Sequence, residues 1–159
     1  MTVEMAAFYR RMLSVGLSDT YQRDIGLALE KEDPLSELLL GLAFCLSDTS
    51  KTISNLDDHI GDRALDEYRI YPMILAEMRE LYSNGHLKLE QIAEALFGIL
   101  EGEGLWYEGP WEELMYLSYG YDEAKAGFLC MDDFLASFAI YLLGKDERRD
   151  NGDRDHRNI

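Results

Sequence analysis

Basic residues are scarce in this sequence, and their scarcity bears directly on the kind of partner it can bind. The 159 residues include 15 Lys and Arg against 31 Asp and Glu, which gives a formal net charge of −16. Nucleic acids and anionic membrane surfaces are bound through clusters of Lys and Arg, so we expect neither as a partner. A field of this sign attracts basic proteins and cations.

Prolines and long apolar runs are also few. The three prolines leave room for long helices, because proline interrupts the hydrogen bonds of a helix interior. The longest uncharged apolar run, residues 38–47, is too short to span a bilayer. The first residues do not have the pattern of a signal peptide, since Glu4 lies among them and Arg10 and Arg11 follow. We therefore expect a soluble, cytoplasmic protein.

There are only two cysteines, Cys45 and Cys130, and both lie among apolar residues. This setting indicates reduced thiols in the core of a cytosolic protein. A disulfide between the two is the less favoured alternative.

Apolar residues at helical spacing, by contrast, are abundant. The hydrophobic fraction of 47% is typical of a globular protein, and the clearest helical pattern covers residues 89–100. The sequence predicts an all-α fold, a single-domain irregular helical bundle of about six to eight helices in residues 1–144. Residues 145–159 carry five basic and five acidic residues and one apolar residue, so we expect a disordered charged tail.

The helix predicted over residues 35–46 is apolar on nearly every side. Asp33 followed by Pro34 is a typical helix start, with a capping acid and then proline in the first turn. A helix without a polar face is usually buried. We therefore expect this helix at the centre of the fold, with the other helices around it.

Residues 105–121, LWYEGPWEELMYLSYGY, combine aromatic side chains with negative charge. They hold both tryptophans and four of the ten tyrosines, and no Lys or Arg occurs between Lys88 and Lys125. We expect residues 101–104 to form a flexible acidic loop and residues 119–121 to end the helix that follows it.

The aromatic residues of this stretch divide into two predicted groups. Trp111 and Tyr116 have helical spacing to other apolar residues, so we expect them to be mostly buried. Trp106 and Tyr107 lie on a connection between helices, where exposure is more common.

Aromatic side chains beside uncompensated carboxylates are typical of a docking surface for a basic protein. The sequence favours a non-enzymatic acidic binding protein without a cofactor, most concretely an immunity-like or antitoxin-like inhibitor that occludes a basic partner such as a toxin. This hypothesis is an analogy of composition. The predicted partner-binding residues are Glu101, Glu103, Trp106, Tyr107, Glu108, Glu112 and Glu113.

A metal-dependent enzyme is the competing hypothesis. Asp57, Asp58 and Asp62, with His59 among them, have ligand types that bind Mg²⁺ or Mn²⁺ in all-helical phosphohydrolases. On a continuous helix Asp58 and Asp62 would share a face. A third alternative is a structural helical module that self-associates. Binding is favoured over catalysis because local spacing places no histidine near a cysteine or serine nucleophile.

Overall fold

The computed structural model describes residues 1–144 and confirms the all-α prediction. Within that range the chain forms no β-strand. The predicted tail, residues 145–159, lies outside the described residues. None of the helices in the described range is long and apolar enough to cross a membrane. The eight α-helices of residues 1–144 are α1 (Val3–Ser14), α2 (Asp19–Lys31), α3 (Glu37–Ala43), α4 (Thr49–Ile60), α5 (Glu67–Ser83), α6 (Leu89–Glu103), α7 (Glu112–Lys125) and α8 (Met131–Leu143).

The chain divides into two compact units, Met1–Ile74 and a second that begins at Leu75. The boundary falls within α5, which continues through Pro72. The apolar stripe of this helix is buried, at Ile70, Ile74, Met78 and Leu81.

In the first unit, α1 packs against α4. The Thr2 hydroxyl caps α1 by accepting a hydrogen bond from the backbone N–H of Met5 at 3.1 Å. Ala6 and Ala7 are buried in this unit, and small side chains allow helices to approach closely. Larger apolar side chains of the two helices complete the core, namely Phe8, Met12, Leu56 and Ile60.

The helix predicted over residues 35–46 is shorter and less central than expected. It begins after Ser36, not at Pro34, because the Ser36 hydroxyl caps it by accepting from the backbone N–H of Leu39 at 3.3 Å. Leu40 is 47% exposed and Phe44 is 85% exposed. The prediction of a buried central helix was wrong, because a seven-residue helix buries one face and leaves its other apolar residues at the surface.

In the second unit, α6, α7 and α8 pack against one another around an aromatic core. Trp111 is completely buried where α7 begins. Rings from all three helices lie with neighbouring centroids between 5.2 and 6.2 Å apart, in tilted, edge and stacked contacts. These rings are Phe97, Tyr121, Phe134 and Phe138.

Both cysteines are free thiols, but only Cys45 is buried. Cys130 is exposed at the N-cap of α8. The prediction of two core cysteines was therefore wrong for Cys130. Its apolar neighbours in the sequence, Phe128 and Leu129, are themselves exposed on the turn before α8.

A buried ion pair joins α1 to the start of α5 within the first unit. Arg11 is only 2% exposed, and its two terminal nitrogens donate to the two carboxylate oxygens of Glu67 at 2.8 Å each. This bidentate arrangement is a strong form of Arg–carboxylate pairing. The Glu67 side chain is 14% exposed, so removing either partner would leave a largely buried charge without its bidentate counterpart.

We expect Glu67→Ala to lower the free energy of unfolding by about 3–5 kcal/mol, because Arg11 would stay buried without its carboxylate. Equilibrium unfolding in urea measures the difference. The double variant Arg11→Met/Glu67→Leu is the control, since it removes both charges and should recover most of the lost stability. A single variant as stable as the wild type would contradict this description of the pair.

Candidate functional site

The connection between α6 and α7 is held at both ends by buried residues. Gly104 ends α6 with a φ of 65°, and the backbone N–H of Leu105 donates to the carbonyl of Leu100 at 3.0 Å, as in a Schellman cap. Leu105 is buried directly after this cap, and Trp111 is buried at the other end. Residues 106–110 therefore cross the surface between two fixed points.

Backbone hydrogen bonds order the connection itself. The N–H of Glu108 donates to the carbonyl of Leu105 at 3.2 Å, and the N–H of Trp111 donates to the carbonyl of Glu108 at 2.9 Å. Residues Gly109–Trp111 form a 3₁₀ turn that leads into α7. The flexible loop predicted at residues 101–104 was wrong, since Glu101 and Glu103 lie in the last turn of α6.

The aromatic side chains at this connection have different environments. Trp111 is buried and Tyr107 is 85% exposed, both as expected from the sequence. Trp106 is half-buried. The connection thus presents the ring of Tyr107 to solvent while Trp111 anchors the following helix.

Helix α7 exposes two further tyrosines, Tyr116 and Tyr119, whose environments the sequence did not predict correctly. The predicted break at Tyr119, Gly120 and Tyr121 was wrong, because α7 continues to Lys125. Tyr121 is buried, whereas Tyr119 is 51% exposed. Tyr116, predicted to be buried, is 61% exposed because the continuous helix turns Leu114, Met115 and Tyr121 inward in its place.

The predicted carboxylates lie on the connection and on the helix turns that flank it. Glu101, Glu108, Glu112 and Glu113 are exposed, and Glu103 is half-buried. The side chains of those four exposed residues form no ion pair with any group in residues 1–144. We call these five glutamates together with Trp106 and Tyr107 the acidic connection.

Counter-charge is scarce throughout this part of the chain. Residues 75–144 contain thirteen Asp and Glu but only three basic residues. Of these, Arg79 donates through Nε to the carbonyl of Leu142 at 2.6 Å, and the Lys125 ammonium lies 5.3 Å from the ring centroid of Tyr121. Lys88 precedes α6. None of the three belongs to the acidic connection.

The negative charge also affects the buried Tyr121. Its hydroxyl donates to Oε1 of Glu94 at 2.8 Å. Burial raises the pKa of Tyr121, and the carboxylates of Glu94, Glu90 and Asp122 raise it further. Tyr121 therefore stays neutral at a pH where an ordinary tyrosine, with a pKa of about 10, would ionise.

The two ends of the acidic connection differ in their relation to the helix dipoles. Glu101 and Glu103 lie at the C-terminal end of α6, where a carboxylate costs about 0.3–1 kcal/mol at an exposed site. Glu112 and Glu113 lie in the first turn of α7, where a carboxylate is favourable. Helix stability therefore does not account for Glu101, and a bound cationic group would relieve its unfavourable interaction with the helix dipole.

The aspartates of the metal-site hypothesis do not share one helix face. Helix α4 ends just before Gly61, which has a φ of 58°, so Asp62 lies beyond the helix and the helical spacing from Asp58 does not apply to it. Asp57 accepts from Arg10 Nε at 2.8 Å. Among the residues that the structure describes, no group of three or more His, Cys, Asp or Glu side chains is placed to hold a metal ion.

Known proteins add no family to this description. No protein-family model, curated protein or solved structure matches the chain.

Two single substitutions test whether the acids at the end of α6 are unfavourable. We expect Glu101→Gln to raise the free energy of unfolding by about 0.3–1 kcal/mol, and Glu113→Gln to lower it by a similar amount. Both remove one negative charge, so the opposite signs isolate the helix-dipole effect from general charge repulsion. Chemical unfolding at low salt provides the measurement. Equal shifts of the same sign would contradict the dipole interpretation.

Proposed function

We propose that this chain is a protein-binding module that docks a basic partner on the acidic connection. The observation that carries the proposal is an exposed aromatic ring beside an exposed carboxylate that forms no ion pair within residues 1–144. Tyr107 is 85% exposed, and Glu108, next to it, is exposed without an ion pair in the described part of the chain. Tyrosine is frequent among the residues that contribute most to protein interfaces.

The ring and the carboxylates would contribute in different ways. An exposed ion pair contributes about 0–1 kcal/mol, whereas burial of an aromatic side chain contributes roughly 2 kcal/mol or more. Affinity would therefore come mainly from Tyr107 and Trp106. The carboxylates would raise the association rate by steering a basic partner and would disfavour acidic partners.

The order of the acidic connection also supports a binding role. Its backbone is fixed by the hydrogen bonds at Glu108 and Trp111 and by the burial of Leu105. A surface that is already ordered loses little conformational entropy when a partner binds. The turn that carries Tyr107 and Glu108 would therefore meet the partner with its backbone already ordered.

The most concrete form of this proposal is an immunity-like or antitoxin-like inhibitor. A toxin that acts on nucleic acid needs a cationic surface for phosphates, and an acidic protein can cover such a surface. The net charge of −16 supports this form, as does the −10 carried by residues 75–144. Inhibition by occlusion requires no catalytic residues in this chain.

Affinity capture from an extract of the native cell, at about 50 mM and about 500 mM salt, tests the proposal. The site variant is Glu108→Lys/Glu112→Lys. The control is Glu30→Lys/Glu32→Lys, which makes the same change in net charge at exposed carboxylates of the first unit. We expect a basic protein, identified by mass, to bind both the wild type and the control variant at low salt. Its binding to both should be weaker at high salt, because salt screens the charges.

The site variant should capture at least about tenfold less of that protein, since two steering carboxylates become repulsive. Equal loss in both variants would assign the effect to net charge and contradict a specific role for the acidic connection. Capture of no specific protein at either salt would contradict the proposed function itself.

A further inference from the structure

Helices α7 and α8, joined by a short turn, leave an open groove between them. The groove has a volume of about 290 Å³. Two of the residues that line it, Asp133 and Ser137, are polar. The rest of the lining is apolar and consists of Tyr116, Leu117, Gly120, Leu129, Cys130 and Phe134.

Gly120 keeps one side of the groove open. A Cβ atom at this position would lie 3.5 Å from the Phe134 ring, which is an ordinary contact distance. The lack of a side chain is therefore not forced by a clash, and a side chain longer than a methyl group would extend into the groove. Glycine is a poorer helix former than alanine, so the stability of α7 does not account for it either.

The apolar residues around the groove are unusually exposed. Tyr116 is 61% exposed, Leu129 is 47% exposed, and the adjacent Phe128 is 83% exposed. The backbone N–H groups of Phe128 and Leu129 both donate to the carbonyl of Glu123, at 2.9 and 3.3 Å, so the turn is held in place. Exposed apolar side chains that line an open groove, such as Tyr116 and Leu129, are typical of an interaction site.

Charge selects the occupant of the groove. No lining residue is basic, Asp133 forms part of the lining, and Glu112 lies one turn before Tyr116 on the same side of α7. The groove thus continues the negative surface of the acidic connection along α7. A second copy of this chain, with its own net charge of −16, would be repelled from such a surface.

Size points to a side chain of a protein as the occupant. Sites for small molecules have volumes of about 300–1,000 Å³ and enclose most of the ligand. The present groove, at about 290 Å³, is at the lower limit of that range and is open to solvent between α7 and α8. It has the dimensions for one apolar side chain that projects from a larger surface.

We propose that the α7–α8 groove receives an apolar side chain of the basic partner, carried on a segment with Lys or Arg on either side of it. This inference rests on the proposed function and adds a second contact to it. The carboxylates along α7 would pair with the flanking cations, and the exposed ring of Tyr116, which lines the groove, would cover the inserted side chain.

Two synthetic Lys-rich helical peptides provide the probe. They are identical except for one central position, which is Phe in one peptide and Ala in the other. Their affinities for the full chain are measured by fluorescence anisotropy across a salt series. The groove is filled in two separate variants, Gly120→Leu and Ser137→Leu, and circular dichroism selects those that fold as the wild type does.

We expect the wild type to bind the Phe peptide at least about tenfold more tightly than the Ala peptide, from burial of the ring. Filling the groove should abolish this preference and leave the salt-dependent binding of the Ala peptide unchanged. Equal affinity of the wild type for both peptides, or a preference that survives in a folded filled variant, would overturn the groove proposal alone. Absence of salt-dependent binding of either peptide would overturn the proposed function.

Discussion

The second unit must hold together a set of carboxylates that it does not neutralise. With thirteen acids against three basic residues in residues 75–144, charge pairing cannot be the main source of its stability. Exposed like charges repel by about 1 kcal/mol at 4 Å in water and less in salt, whereas each large buried side chain contributes roughly 2–3 kcal/mol. Burial of Trp111 and of the rings of Phe97, Phe134 and Phe138 therefore dominates, and the surface charge is tolerated.

The same aromatic core determines what the surface presents. Because Leu105 and Trp111 are buried on either side of the connection, Tyr107 is presented from an ordered backbone. Because Tyr121 faces the core, Tyr116 on the opposite side of α7 is exposed beside the groove. One helix thus links the acidic connection to the groove, so a single extended partner could contact both.

The spacing of apolar residues predicted the helices that bury one face. It failed where the position of a helix in the fold decides which of its side chains are buried. The pattern in residues 89–100 located α6 because its apolar residues share one face, which is buried from Ile92 to Leu100. Residues 35–46 are apolar on all sides, so their spacing could not say which side chains, such as Phe44, stay exposed. Gly120 resembled a helix break, but its cost of about 1 kcal/mol is smaller than the gain from packing Tyr121. The acidic connection was predicted from composition. The groove was not predicted, because it forms only where two helices pack together, and local spacing does not predict which helices pack.

The association rate between this chain and its purified basic partner, measured across ionic strengths, tests the central claim most directly. If the acidic connection steers the partner, the wild-type rate will fall steeply with salt. Glu108→Lys/Glu112→Lys will then associate more slowly at low salt and with a shallower salt dependence, while its dissociation rate changes less. Association kinetics identical to those of the wild type would contradict a docking role for this surface.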